Sequence, residues 1–335
     1  MTRVSAAGTD QPLTWRCPVR DLGGALTYEA GLEIAASIFV PSPAGLRLDP
    51  CPVLCCLPGA ALSRVYYDLV SNGDSTFSFA RQMASAGCLV VALDLIGTGD
   101  SSRPADGYEI TPDSIAAANA QSVAQILDRL RSGTLTTALP ALPRLIPIGV
   151  GHSLGAVSSI IQQARFATYQ GLVLLGYGGD GLPPELSPEE LAHAGDAAAI
   201  RANIVRLARA RYAEPYWQLA GSPRTQEVFG GGGDKRAMGA LRGARTALLA
   251  TAGLFSMLPG STAAEAAAID VPVFLGIGDR DICGPPHRIP AGFSGSRDLT
   301  LVVLRDTGHT HFVFPSSTHL FVRIHSWLRE VIVGS

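Results

Sequence analysis

The first segment with chemical potential is Gly-His-Ser-Leu-Gly at positions 151–155, which directly follows an apolar run over 145–150. An apolar run that ends in Gly-x-Ser-x-Gly and passes into small residues is typical of a strand, a sharp turn and a helix. A serine on such a turn has a strained backbone that leaves its hydroxyl clear of the strand end. The pattern predicts a nucleophile at Ser153. The alternative is a glycine-rich turn in which Ser153 only caps the helix.

Carboxylates and imidazoles follow two later apolar runs. Asp279 and Asp281 come after the first of these runs, and His309 and His311 come after the second. A serine hydroxyl is a weak nucleophile until an imidazole accepts its proton, and a carboxylate holds that imidazole in the required tautomer. The chain therefore contains the three residue types of a nucleophilic triad, in the order serine, acid, histidine.

Dense apolar runs alternate with helical patterns over much of the chain. Runs that are apolar at nearly every position are typical of strands buried on both faces of a parallel sheet. The carboxyl ends of parallel strands share one edge of the sheet, so residues far apart in sequence can meet there. The runs are 50–57, 88–94, 145–150, 171–177, 271–278 and 299–304.

Two regions depart from this alternation. Residues 1–20 are expected to form an irregular leader, followed by a hairpin over 25–40. Residues 180–268 show helical patterns and no strand pattern, which predicts a helical lid inserted into a core of residues 21–179 and 269–335. The glycine run within the insert favours mobility, and a rigid extra domain is the alternative.

The composition limits the classes of partner. The 335 residues are 47% hydrophobic and 16% charged, with a net charge of −2, which indicates a globular protein without a basic face for nucleic acid. The six cysteines lack paired metal spacing, and no histidine or carboxylate cluster has metal spacing, so no metal is expected. No other cofactor is predicted. The absence of a signal-peptide pattern and of a long apolar run predicts a cytoplasmic protein without a membrane span. A small molecule is the expected partner.

Four motifs in this order resemble those of the α/β-hydrolase family, over residues of about 25–333. They are the Gly-x-Ser-x-Gly of 151–155, an Asp-x-x-Gly-x-Gly-x-Ser loop at 94–101, a Gly-x-x-Asp turn at 278–281 and the Gly-His pair at 308–309. The resemblance implies an α/β-hydrolase fold, with a mostly parallel central sheet flanked by helices and an inserted helical lid. It assigns Asp281 as the acid and His309 as the base, with Asp279 and His311 as alternates.

The oxyanion hole departs from the family pattern. The family commonly has His-Gly after the relevant strand, whereas this chain has Pro58 and Gly59. The resemblance places two backbone donors at the N–H groups of Ala60 and Leu154, with Ala61 as the alternate for the first. Backbone donors do not depend on side-chain identity, so the mechanism is compatible with the departure.

The substrate is expected to contact large apolar side chains near the insert. Packing within the lid is the alternative role for these side chains. The candidates are Tyr177, Trp217, Phe255 and Met257.

Together these features predict a serine hydrolase that cleaves an ester-type bond of a small, largely apolar molecule through an acyl-enzyme. The same triad could act on a thioester, a lactone or a carbon–carbon bond, or in a biosynthetic cyclisation. A receptor that binds a small molecule on the same fold is the alternative of another class.

Overall fold

The computed structural model describes residues 11–41, 50–137, 139–219 and 230–334. Residues 1–10 of the expected leader and 220–229 of the expected lid lie outside the described residues.

Ten strands are described. They are β1 (Leu13–Pro18), β2 (Glu33–Phe39), β3 (Cys51–Leu57), β4 (Leu89–Leu93), β5 (Leu145–His152), β6 (Gly171–Leu175), β7 (Tyr216–Trp217), β8 (Leu248–Leu249), β9 (Val273–Gly278) and β10 (Leu299–Leu304).

One sheet has the strand order β1-β2-β4-β3-β5-β6-β9-β10. The strands from β4 to β10 in this order pair in parallel, whereas β2 pairs antiparallel with both β1 and β4. Every residue of β3, β4, β5, β6 and β9 is buried, which explains their continuous apolar sequences. The predicted fold class, a mostly parallel sheet flanked by helices, is confirmed.

Helices cover both faces of the sheet. Alternate residues of β3 enter two separate core clusters: Val53 and Cys55 pack with α2 and α3, and Leu54 packs with α1 and α9. The helices are α1 (Phe79–Ser85), α2 (Pro112–Ser132), α3 (Leu154–Phe166), α4 (Pro188–Leu191), α5 (Ala197–Arg211), α6 (Lys235–Leu241), α7 (Ala250–Met257), α8 (Ala263–Ala268) and α9 (Ser317–Trp327).

The amino-terminal predictions need correction. Part of the expected irregular leader is the edge strand β1, which buries Trp15 and Cys17 while the alternate residues Thr14, Arg16 and Pro18 are exposed. The expected first strand of the hairpin, at 25–29, is instead within a short 3₁₀ helix (Gly24–Tyr28) that buries only Leu26. Its single apolar contact does not support a strand, whereas the alternation in β1 matches a strand with one face on the core.

The insert at 180–268 is mostly helical where it is described, with α4 to α8 and a small antiparallel pair of β7 and β8. Several hydrogen bonds tie it to loops of the core. The Tyr108 hydroxyl donates to the Tyr212 carbonyl at 2.7 Å, the Thr246 N–H donates to the Ala61 carbonyl at 2.9 Å, and the Tyr216 hydroxyl donates to a core carbonyl. These contacts seat the insert on the carboxyl edge of the sheet. Its mobility stays a prediction.

Candidate active site

Ser153 lies on the turn between β5 and α3, with backbone angles φ 53° and ψ −117°. Its N–H donates to the Leu175 carbonyl at 2.8 Å, which fixes the turn against β6. A Cβ on Gly155 would lie 2.0 Å from the Leu57 carbonyl oxygen, and one on Gly151 would lie 2.4 Å from the Gly155 carbonyl oxygen. Both motif glycines are therefore required for the close approach of this turn to β3 and α3.

A chain of hydrogen bonds links the predicted serine, histidine and acid. The Ser153 Oγ lies 2.9 Å from His309 Nε2, and His309 Nδ1 lies 2.7 Å from Asp281 Oδ1. The pairing is consistent with a tautomer in which Nδ1–H donates to the carboxylate and Nε2 accepts the serine proton. Asp281 is fully buried and Ser153 is half-buried. The arrangement can therefore take a proton from a hydroxyl that faces a cavity.

The second oxygen of the acid binds the other candidate histidine. His311 Nε2 lies 2.7 Å from Asp281 Oδ2, and the His311 ring is fully buried. Its other ring nitrogen, Nδ1, has no hydrogen-bond partner among the described residues. His311 therefore contacts the acid and not the serine.

Asp279 has a different set of contacts from Asp281. Its two oxygens accept the N–H groups of Asp306 and Thr307 at 3.0 and 3.1 Å. Its carboxylate thus joins the turn after β9 to the turn after β10. The geometry brings Asp281, and not Asp279, to His309.

The electrostatics of the site favour an ionised acid. Burial alone would raise the pKa of Asp281, but the electrostatic interaction and hydrogen bond with His309, with a further hydrogen bond from His311, hold this pKa well below its ordinary value. An ionised carboxylate stabilises the imidazolium that forms when His309 accepts a proton.

His152, within the serine motif, packs beneath the site. Burial lowers its pKa well below the ordinary value, and the electrostatic effects of His309 and His311 lower it further. Its Nε2 lies 2.8 Å from the His309 carbonyl oxygen, as a neutral ring with a proton on Nε2 requires. A Cβ on Gly59 would lie 2.6 Å from His152 Nδ1, so this ring also explains the glycine after Pro58.

The predicted oxyanion donors lie at the ends of β3 and β5. Leu154 is the first residue of α3, where a backbone N–H has no acceptor within the helix. In the part of the chain that the structure describes, the N–H groups of Ala60 and Leu154 have no hydrogen-bond acceptor. Ala60 lines the same cavity as Ser153, whereas the alternate Ala61 has φ 59° and uses its carbonyl to hold the insert.

The Asp-x-x-Gly-x-Gly-x-Ser loop forms a buried ionic network beside the site. Asp94 is fully buried, forms an ion pair with Arg64 and accepts the N–H groups of Arg64 and Asp100 at 2.6 and 2.8 Å. Burial raises the pKa of Asp94, against the opposing effect of the Arg64 charge. A Cβ on Gly99 would lie 2.2 Å from the Asp94 carboxylate. These contacts fix the conformation of the loop, and Arg64 is a partner that the sequence did not indicate.

A large cavity of about 730 Å³ opens at Ser153 and His309. Two of the predicted substrate-contacting residues, Trp217 and Met257, line it. Phe255 does not line it but is buried under the Arg201 guanidinium. The face of α7 that meets the cavity carries Gly253, Ser256 and Met257, so helical periodicity turns Phe255 into the core.

A second, much smaller pocket of about 50 Å³ meets the same serine and histidine. Tyr177, the remaining predicted contact residue, lines this small pocket. Its hydroxyl lies 3.0 Å from the Thr262 hydroxyl, and its ring packs edge-on against Phe293. Among the predicted contacts, only Phe255 is therefore away from both cavities.

A model of the alpha/beta hydrolase family matches residues 53–324. The chain belongs to the alpha/beta hydrolase family. The match includes all of the strands from β4 to β10, the serine turn, the acid turn and the histidine pair. No curated protein matches the sequence.

Solved structures with this fold include several kinds of hydrolase. A monoacylglycerol lipase from Paleococcus ferrophilus is 18% identical, with a TM-score of 0.59 over 90% of this chain and 99% of that chain. An esterase from Thermogutta terrifontis is 18% identical, with a TM-score of 0.52 over 90% and 94%. The epoxide hydrolase CorEH is 14% identical, with a TM-score of 0.53 over 90% and 96%. At these identities the similarity shows the fold alone.

The described helices, potential metal ligands and cysteines of this alpha/beta hydrolase bear on membrane insertion and metal binding. None of the described helices combines the length and apolar character needed to cross a bilayer. The described residues contain no group of histidine, cysteine and carboxylate side chains that could hold a metal ion. All six cysteines are buried thiols.

Besides Arg64, the sequence did not indicate the contact of His311 with Asp281. It also did not indicate pocket-lining residues such as Val157 and Cys283. Val157 lies one turn into α3, so its helical spacing from Ser153 is the signal that could have identified it. Cys283 lies on an irregular turn, where the sequence pattern carries no such signal.

Proposed function

We propose that this alpha/beta hydrolase is a serine hydrolase that cleaves an ester-type bond of a small, largely apolar molecule through an acyl-enzyme. The observation that carries the proposal is the hydrogen-bonded chain from Ser153 through His309 to Asp281, with distances of 2.9 and 2.7 Å. The large cavity at Ser153 has a volume within the usual range of about 300–1,000 Å³ for small-molecule sites.

In the proposed mechanism, the Ser153 Oγ attacks the substrate carbonyl carbon while its proton passes to His309 Nε2. The N–H groups of Ala60 and Leu154 stabilise the negative oxygen of the tetrahedral intermediate. Collapse of the intermediate breaks the carbon–oxygen bond, and His309 returns the proton to the leaving alcohol. A water molecule, deprotonated by His309, then attacks the acyl carbon. The bond from that carbon to the Ser153 Oγ breaks, His309 returns the proton to Ser153, and the carboxylic acid leaves.

Asp281 orients His309 and stabilises its charged form. We assign a positioning role to His311, because it binds the carboxylate oxygen that His309 leaves free. With both oxygens held, the buried carboxylate has one orientation toward the His309 ring. Removal of His311 would leave Asp281 Oδ2 buried without that donor, which is costly for a charged group.

The insert at 180–268 is proposed to act as a lid over the substrate and to contribute no reacting group. Trp217 and Met257 lie on it and line the large cavity, whereas Ser153, Asp281 and His309 all follow strands of the sheet. The lid would therefore influence which ester is accepted.

The test is turnover of a chromogenic short-chain ester by the native protein and by Ser153→Ala. We expect hydrolysis by the native protein and its nearly complete loss in the variant. Ser159→Ala is the matched control, since its buried hydroxyl bonds only to the Gly155 carbonyl within α3. Comparable turnover by native protein and Ser153→Ala would refute the proposed nucleophile.

A further inference from the structure

The two cavities at Ser153 differ sharply in size. The small pocket has a volume of about 50 Å³ and the large cavity about 730 Å³. They share six lining residues, so they open onto the same hydroxyl and the same imidazole. The shared residues are Ser153, Gly181, Leu182, Ser256, Ile282 and His309. A scissile carbonyl group bound at Ser153 carries two substituents, and the two cavities offer very unequal space for them.

The walls of the small pocket belong mainly to the core and are closely packed. A Cβ on Gly178 would lie 2.1 Å from the Cys283 carbonyl oxygen, so the loop after β6 already touches the turn that carries Asp281. A Cβ on Gly176 would lie 3.1 Å from His309 Cε1. Val157 and Tyr177 are buried, and the Tyr177 hydroxyl is held at Thr262. On the core side, the pocket therefore has walls that also position the triad, and Gly181, Leu182 and Ser256 of the insert complete it.

The walls of the large cavity come largely from the insert. Trp217, Leu248 and Met257 line it, together with the Leu182–Glu185 segment. These side chains belong to β7, β8, α7 and a loop of the insert rather than to the eight-stranded central sheet. This side of the site can accept a larger and more varied apolar group.

We propose that the substrate is an ester with one very short side and one bulky apolar side at its scissile carbonyl. The short side holds about three to five non-hydrogen atoms, because the pocket has a volume of about 50 Å³ and about 10–15 Å³ accommodates one water molecule. Val157 and Cys283 set this limit. This inference rests on the proposed serine hydrolase function and adds the size asymmetry of the substrate.

Two panels of esters test the asymmetry. One panel joins a naphthyl alcohol to acyl groups from acetyl to octanoyl, and the other joins naphthoic acid to alcohols from methanol to octanol. We expect activity in one panel, with a fall in kcat/KM of about tenfold or more for each methylene beyond the limit. The active panel identifies whether the small pocket takes the acyl or the alcohol side. Equal hydrolysis of short and octyl members in either panel would overturn the proposal.

Enlarging the small pocket should relax the limit. In Val157→Ala, the ratio of kcat/KM for the hexyl-length member to that for the shortest member of the active panel should rise about tenfold. Cys283→Ala provides a second variant if Val157→Ala fails to fold. Val123→Ala is the matched control, because Val123 is equally apolar and buried but lies in α2 away from both cavities. An unchanged ratio in both pocket variants would contradict the assignment of Val157 and Cys283.

Labelling by a fluorophosphonate probe separates this inference from the proposed function. If Ser153 is labelled but no panel member is hydrolysed, or if either panel tolerates long chains, the asymmetry is wrong and the reactive serine stands. If Ser153 is neither labelled nor needed for hydrolysis, the proposed function fails and the inference fails with it.

Discussion

The strand-end turns and the insert contribute to the site in different ways. Ser153, Asp281 and His309 follow β5, β9 and β10, and their polar atoms lie 2.7–2.9 Å apart. The insert contributes apolar side chains such as Trp217 and Met257 to the cavity wall. The strand-end turns supply a hydrogen-bonded set of candidate catalytic groups, and the insert supplies an apolar wall of the cavity.

This difference separates the proposed chemistry from substrate selection. At the strand ends, backbone geometry places each group, as the φ of 53° at Ser153 and its bond to the Leu175 carbonyl show. In the insert, residues such as Trp217 and Met257 contact the cavity through side chains on elements separate from those turns. Substitutions at the strand ends should therefore affect all substrates, and substitutions in the insert should affect substrates unequally.

The largest expected effect is that of His309→Ala. Removal of the general base from a serine triad typically lowers kcat by about a millionfold, because serine then lacks a proton acceptor. Steady-state kinetics with a chromogenic ester would measure the loss. His325→Ala is the control, because His325 is half-buried in the last turn of α9. A His309→Ala protein within tenfold of native kcat would show that the base lies elsewhere.

Asp281→Asn should lower kcat by about 10⁴-fold, because asparagine favours the wrong tautomer of the histidine. Asp279→Asn is the paired variant, and its kcat should stay within a fewfold of native, since Asp279 binds only backbone N–H groups of the next turn. The measurement is kcat for both variants in the same assay. A larger loss in Asp279→Asn than in Asp281→Asn would reverse the assignment of the acid.

His311→Leu should lower kcat by about 10–100-fold, since a hydrogen bond to a charged group contributes about 1.5–3 kcal/mol. His311→Gln should recover part of this loss, because its amide nitrogen can replace Nε2 as a donor to Asp281. A purely structural role would give equal kcat in the two variants once both are folded. Thermal unfolding monitored by circular dichroism establishes that folding, and the pH profile of kcat/KM should shift in His311→Leu alone.

The smallest expected effect on catalysis is that of Trp217→Ala. Because Trp217 lines the large cavity, the variant should change the ratio of kcat/KM between bulky and small esters about tenfold. The rate of Ser153 labelling should stay unchanged. Phe255→Ala is the contrasting variant. It should destabilise the fold by about 3–5 kcal/mol, as for a buried phenylalanine, and leave the ranking unchanged. The reverse pattern would place Phe255, and not Trp217, at the substrate.

The sequence predicted the sheet edge better than it predicted the insert. Ser153, Asp281 and His309 follow dense apolar runs, and parallel strand order brings such positions together whatever the details of packing. The hydrogen bond between His311 and Asp281 depends on the side-chain rotamers within residues 309–311. Sequence periodicity does not indicate these rotamers. Phe255 was misplaced because a short apolar helix does not show which of its faces meets a cavity. The strand β1 was missed because its alternation covers only Trp15 and Cys17 before Pro18.

The most direct test of the central claim is to map the site of a fluorophosphonate adduct by peptide mass spectrometry. The account predicts a single adduct on Ser153, absent from Ser153→Ala, strongly slowed in His309→Ala and retained in Trp217→Ala. An adduct on another residue, or undiminished labelling of Ser153→Ala, would contradict the claim that the strand-end turns supply the reactive serine.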